Sequence, residues 1–143
     1  MPYRYLEEIA TADVAFEAWG ASLEEMFAAA ADALANVMVA DLSSITTVHR
    51  VPMDLEHEAV DLLLFDFLQE LVFLKDARRL LLRVPNPSIS RAGEALILHA
   101  VAEGEEIDPQ RHDLLVDVKA VTLHRFEVVQ RDAAWYATVI LDI

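Results

Sequence analysis

Ala134-Trp135-Tyr136-Ala137-Thr138-Val139-Ile140-Leu141-Asp142, followed by Ile143, closes the sequence and sets the architecture of the rest. The run is dense in β-branched and aromatic residues, and they alternate. Trp135, Ala137, Val139 and Leu141 fall on one face, Tyr136, Thr138, Ile140 and Asp142 on the other. This pattern predicts a strand docked in a sheet, not the solvated tail on which many chains end. An ordered strand here holds Asp142 beside the terminal carboxylate of Ile143, two negative groups on fixed backbone. Such a pair either sits in water or meets a cation.

Tyr3 to Glu8 and Val14 to Trp19 also read as strands, separated by Ile9 to Asp13, and Gly20 breaks the second pattern. Ser22-Leu23-Glu24-Glu25 is a capping box, the Ser22 hydroxyl accepting the Glu25 N–H while the Glu25 side chain reaches back. Leu23, Met26, Phe27, Ala30, Leu34, Val37 and Met38 recur at helical spacing, predicting a helix from Leu23 to Val39. Ile45 to Leu55 reads as a strand, and Pro52 within it predicts an edge position. A second helix is marked by Val60, Leu63, Leu64, Phe67, Leu68, Leu71 and Leu74, and its wide apolar arc predicts deep burial. Leu80 to Val84 is a strand, and Pro85 to Ser88 with Arg91 to Gly93 bound a turn or hairpin loop. Glu94 to Glu103, Leu114 to Thr122 and His124 to Arg131 join the terminal run in a strand-rich second half, with Glu103 to Glu106 read as a charged loop. Two main helices against a mostly antiparallel β-sheet give an α+β two-layer sandwich.

At 143 residues the chain is long enough for one substantial core, and with no linker in sight residues 1–143 read as a single domain. Hydrophobic residues make up 55% of it and mean hydropathy is +0.30, which argues against disorder. The apolar runs fall short of the ~20 residues that span a membrane. With no signal-peptide pattern and no cysteine, the expectation is a cytoplasmic protein without disulfides, thiol nucleophile or thiolate metal site. The 25 acidic and 11 basic residues leave a formal charge of -14, a field that repels phosphate backbones and disfavours direct nucleic-acid binding. It fits a divalent cation, a basic partner, or simple solubility.

P-loop, GxGxxG, GxSxG and HExxH motifs are absent. The five histidines, His49, His57, His99, His112 and His124, show no paired metal spacing and read as surface or core-edge residues; His124, beginning a strand, reads as a turn residue or the orienter of a carboxylate. Most carboxylates read as solvated surface, and Glu24 and Glu25 are accounted for by capping and the helix dipole. Asp13, where a loop enters a strand, has two readings: a turn aspartate bonding nearby backbone, or an oxygen ligand for a hard divalent cation.

These residues also carry a family resemblance. Tyr3-Arg4-Tyr5-Leu6-Glu7 and Thr11-Ala12-Asp13-Val14-Ala15-Phe16-Glu17-Ala18 resemble the opening signature of archease. The likeness continues through Ser22 to Phe27, Asp61 to Leu63, Phe67 to Leu74, Gly104-Glu105, Asp108 to Leu114, Val118 to His124 and Val139 to Ile143. It covers nearly the whole chain in order, and is thin between Ala40 and Leu55 and between Pro85 and Ala95. The family commonly reads Leu-Glu-His-Thr-Ala-Asp, whereas Leu6 to Asp13 is longer and lacks that histidine, and Leu123 stands where the family has an aromatic before its histidine.

The resemblance implies a non-catalytic accessory protein that activates an RtcB-type RNA ligase in tRNA splicing. Such a protein promotes ligase guanylylation and multiple turnover, and binds a divalent cation, calcium foremost. By position the implied metal ligands are Asp13, Asp142 and Ile143, the last through a terminal or main-chain oxygen. Magnesium and manganese are the other hard cations that suit such donors. Two rivals stand beside this reading: a small metal-dependent hydrolase using the same carboxylates, and a general chaperone or scaffold with an acidic surface.

Overall fold

The computed structural model describes residues 2–6 and 13–143. The Glu7 and Glu8 end of the first expected strand, the Ile9 to Ala12 connection and the site of the missing histidine lie outside the described residues. In chain order the elements are β1 (Tyr3–Leu6), β2 (Asp13–Gly20), α1 (Leu23–Met38), a 3-10 turn (Leu42–Ser44), β3 (His49–His57), α2 (Val60–Arg78), β4 (Leu80–Arg83), β5 (Ser88–Ala92), β6 (Ala95–Glu106), β7 (Ala120–Arg131) and β8 (Ala134–Asp142). They form an α+β fold of two antiparallel sheets. One has the order β1-β2-β8-β7; in the other, β6 pairs with β3, β4 and β5. No helix among the described residues is long and apolar enough to cross a membrane.

The cap at Ser22 forms as its spacing predicts: the Glu25 N–H donates to Ser22 Oγ at 3.1 Å. The Glu25 carboxylate reaches one residue further back than expected, accepting the Ala21 N–H at 2.9 Å. Besides the expected apolar face, α1 buries Ala29, Ala31, Ala33 and Ala35, because the helix is packed on more than one side. Small side chains are what let backbone approach it there. The buried faces of α1 and α2 meet at Phe27 and Phe67, whose ring centroids are 5.4 Å apart. On β8 the inward face is as expected, with Ala137, Val139 and Leu141 fully buried in the core, and Ile140 on the other face is buried as well. Burying each side chain of leucine or phenylalanine size contributes about 1.5–3 kcal/mol.

Four expectations are corrected. The strand expected from Ile45 begins at His49, because Asp41 caps the 3-10 turn through the Ser43 N–H and Thr46 is tied to Glu105; Pro52 does sit on an edge strand. Residues 88–92 are not only loop: β5 pairs with β6 across a tight turn, with Gly93 at φ 62°. Leu114 to Lys119 is no strand beyond one bridge between Val39 and Leu114; Leu114, Leu115 and Val116 face solvent instead of a sheet, while Val118 is buried in the core. The strand that follows is the single β7, irregular between Thr122 and Glu127, and exposed His124 falls in that irregular stretch. Finally, Glu103 to Glu106 is no loop but the end of β6.

The buried Glu105 shows why that segment is ordered. Its carboxylate accepts the Thr46 N–H at 2.6 Å and pairs with the Arg111 guanidinium. The Asp108 N–H donates to His112 Nδ1 at 2.9 Å, which leaves Nε2–H to donate to Glu105 at 3.2 Å. Burial pushes the Glu105 carboxyl upward, but Arg111, the Thr46 N–H and His112 outweigh it and hold the group at about 2, below its ordinary 4.5. A depressed carboxyl contributes stability that is complete above pH 4.5 and is lost as pH falls toward 2. Glu105→Gln is therefore expected to cost about 1–3 kcal/mol near neutrality, with the gap to wild type narrowing below pH 4.5 in urea unfolding. A gap constant down to pH 2 would contradict the ion-pair account.

A carboxylate row at one end of the first sheet

Asp13 and Asp142 come from opposite ends of the chain and meet. Strands β2 and β8 are antiparallel in a register that places Asp13 directly opposite Asp142. Directly opposed residues point to the same face of a sheet with Cβ atoms about 4.5–5.5 Å apart. The next pair, Val14 and Leu141, turns inward, and Leu141 is fully buried. The following pair, Ala15 and Ile140, returns to the outer face and is also buried. The pair of carboxylates thus sits on a rigid footing, itself half-buried.

The other side of β8 is closed by β7, with Ala120 opposite Asp142. The Lys119 N–H donates to the Asp142 carbonyl at 2.8 Å. Ile143 packs its side chain against the core, which holds its main-chain oxygens next to the row. The three residues singled out in the sequence are therefore brought to one place. Their donors are hard oxygens, the chemistry calcium, magnesium and manganese take. Among the described residues no group of three or more histidine, aspartate or glutamate side chains is placed to hold a metal ion by itself. A cation at the row would rely on the two carboxylates together with main-chain oxygen and water.

Spacing did not reveal a second arrangement, on the other sheet. Asp54 of β3, His99 of β6 and Ser88 of β5 lie in one cross-strand line, and the Asp54 carboxylate pairs with His99 Nδ1. All three are exposed. A catalytic triad needs its nucleophile hydrogen-bonded to the base in a site that excludes water, and this line offers neither feature.

The model of the Archease protein family (MTH1598/TM1083) matches residues 3–143. The chain belongs to the archease family. The archease of Pyrococcus abyssi is 34% identical over 134 residues, covering 93% of this chain and 94% of its own. That of Methanothermobacter thermautotrophicus is 37% identical over 133 residues, with the same shares covered. In solution, protein 1598 of Methanobacterium thermoautotrophicum has the same fold, with a TM-score of 0.86 at 34% identity over 99% of each chain. A Thermotoga maritima archease described as a possible chaperone shares the fold at 20% identity, with a TM-score of 0.62 over 96% of this chain and 97% of its own. The stretches Gly104-Glu105 and Asp108 to His112, which resemble archease in sequence, form here the cluster around buried Glu105 and His112 that fastens the β6 end.

Proposed function

We propose that this archease-family chain is a cytoplasmic accessory activator of an RtcB-type RNA ligase in tRNA splicing, and not itself an enzyme. It promotes ligase guanylylation and repeated turnover. The observation that carries the proposal is the register of β2 and β8, which sets Asp13 opposite Asp142 beside Ile143. Asp13 and Asp142, with a main-chain oxygen of Ile143, would hold a divalent cation, calcium foremost and magnesium or manganese as alternatives. The bound cation would supply positive charge for phosphate and carboxylate oxygens at the partner's active site. The residues themselves present that charge on a strand pair that cannot splay. A formal charge of -14 favours a basic, RNA-binding partner surface and keeps the chain from competing for RNA.

The test is RNA joining with the cognate ligase limiting, in three arms: no addition, wild type, and Asp13→Ala/Asp142→Ala checked for intact folding. Wild type is expected to raise turnover and ligase guanylylation at least tenfold, ~1.4 kcal/mol of barrier, and the variant to do neither. If neither protein changes the rate, the activator assignment fails. Hydrolysis of a phosphoester panel by the purified chain, lost in Asp13→Ala, would put the hydrolase in its place. Protection of unrelated proteins from aggregation, unaffected by Asp142→Ala, would favour the scaffold.

A further inference from the structure

Four large apolar side chains are exposed around the C-terminal half of α2: Phe73 (59%), Leu115 (55%), Val116 (43%) and Leu114 (40%). They flank two recesses that share Asp76. Phe73 lines one of 510 Å³ with Asp66, Glu70 and Lys119, and Leu114 to Val116 line the other, of 360 Å³. Asp66, Glu70 and Phe73 are spaced i, i+4, i+7 along one face of α2.

The loop that carries Leu114 to Val116 is fastened, so its apolar face is preformed. Lys75, only 4% exposed, donates to Asp117 at 2.6 Å and to the Val118 carbonyl at 2.6 Å. Burial alone would lower the Lys75 pKa, but the Asp117 and Asp76 carboxylates raise it above its ordinary value, so the bridge stays charged. The Leu115 N–H donates to the Met38 carbonyl, and the Ala40 N–H to the Asp113 carbonyl, each at 2.9 Å. Apolar side chains held out on bonded backbone mark an interaction surface, because binding there costs little ordering.

Charge selects the occupant. A second copy, an anionic membrane and a nucleic acid would each bring negative charge to a chain already at -14. The exposed Phe73 ring between Asp66, Glu70 and Asp76 is complementary to an arginine, whose guanidinium stacks on an aromatic face while its N–H groups bond carboxylates. We propose that this face of α2 is a docking surface for a basic protein segment, with an arginine side chain on Phe73 and an apolar neighbour against Leu115 and Val116. This rests on the activator reading, in which the segment belongs to the ligase. Lys119 lines the Phe73 recess and its N–H bonds Asp142, so a partner seated there lies against the carboxylate row.

The experiment measures affinity for the cognate RtcB-type ligase for wild type, Phe73→Ala, Asp66→Asn/Glu70→Gln and Leu115→Ser, each checked by circular dichroism. The substituted side chains are exposed or half-buried, so the variants are expected to fold. Phe73→Ala is expected to weaken binding about tenfold or more, and the neutralised pair to flatten its salt dependence. In a second arm an arginine-containing peptide, Arg-Leu-Arg-Arg-Leu-Arg, is titrated into isotope-labelled wild type, and amide shifts are expected to centre on α2 and residues 114–119. If the ligase binds wild type and the surface variants alike, the docking surface is overturned while the activator reading stands. If the peptide maps to α2 but the ligase neither binds nor responds, the surface stands and the activator reading falls. Peptide shifts that are absent or lie elsewhere overturn the surface.

Discussion

Gly104→Ala is expected to leave little folded protein. Gly104 lies in β6 between two neighbours, opposite His49 of β3 and Leu82 of β4. A Cβ added there would stand 1.8 Å from the Leu81 carbonyl oxygen, 2.8 Å from its carbon and 3.1 Å from Leu82 Cα. These are backbone atoms of a paired strand and cannot swing aside as a side-chain tip would. The Gly104 carbonyl also accepts the Val48 N–H at 2.9 Å, which ties the residue from the other side. Relief requires β4 to move off β6, which opens the ladder and exposes Leu80, Leu81 and Leu82, all buried. The expected loss exceeds about 4 kcal/mol, against a total stability of about 5–15 kcal/mol.

Gly93→Ala is the matched control. Gly93 has φ +62° but nothing within 4 Å of an added Cβ, so only the left-handed backbone penalty of about 1–2 kcal/mol applies. Urea unfolding of the two variants separates the effects, and equal losses would refute the collision.

The second large effect is a change of sign with cation. In chelator, Asp13→Asn is expected to be slightly more stable than wild type, by about 0.2–1 kcal/mol, because it relieves two like charges directly opposite each other. In calcium the order reverses. At a free concentration 100 times the dissociation constant, a ligand specific to the folded state adds about 2.7 kcal/mol. For a chain of this size that raises Tm by roughly 10 °C. Asp13→Asn and Asp142→Asn are expected to lose most of that rise. Thermal unfolding of the three proteins in chelator, calcium, magnesium and manganese measures both halves and ranks the metals. An unchanged Tm for wild type in all three cations would remove the row as a metal site, and an undiminished rise in both variants would place the cation elsewhere.

Local chemistry made most elements legible. Ser22 with Glu25 announces the start of α1, the heptad-like recurrence from Val60 to Leu74 announces α2, and β-branched and aromatic content announces β8. These are properties of neighbouring residues, so the sequence alone determined them, along with the class of fold and, through motifs in order, the family. The apolar run from Leu114 to Val116 misled because apolar content records which residues suit a sheet, and not whether a sheet or solvent meets them. Glu103 to Glu106 misled because charge is read as exposure until its partners are known. Glu105 is buried only because Thr46, Arg111 and His112 arrive from elsewhere in the chain to satisfy it.

The candidate site divides in the same way. Asp13, Asp142 and Ile143 could be named from the sequence. That Asp13 and Asp142 stand opposite one another, with Val14 and Leu141 as the next pair, is a matter of strand register. Register is set by which faces of β2 and β8 are buried together, since a slip of one residue would turn the buried Val139 and Leu141 out of the core. The residue types and their alternation are written locally. Their meeting, and the exposed apolar face of α2 alongside, follows only from packing two sheets and two helices around one core.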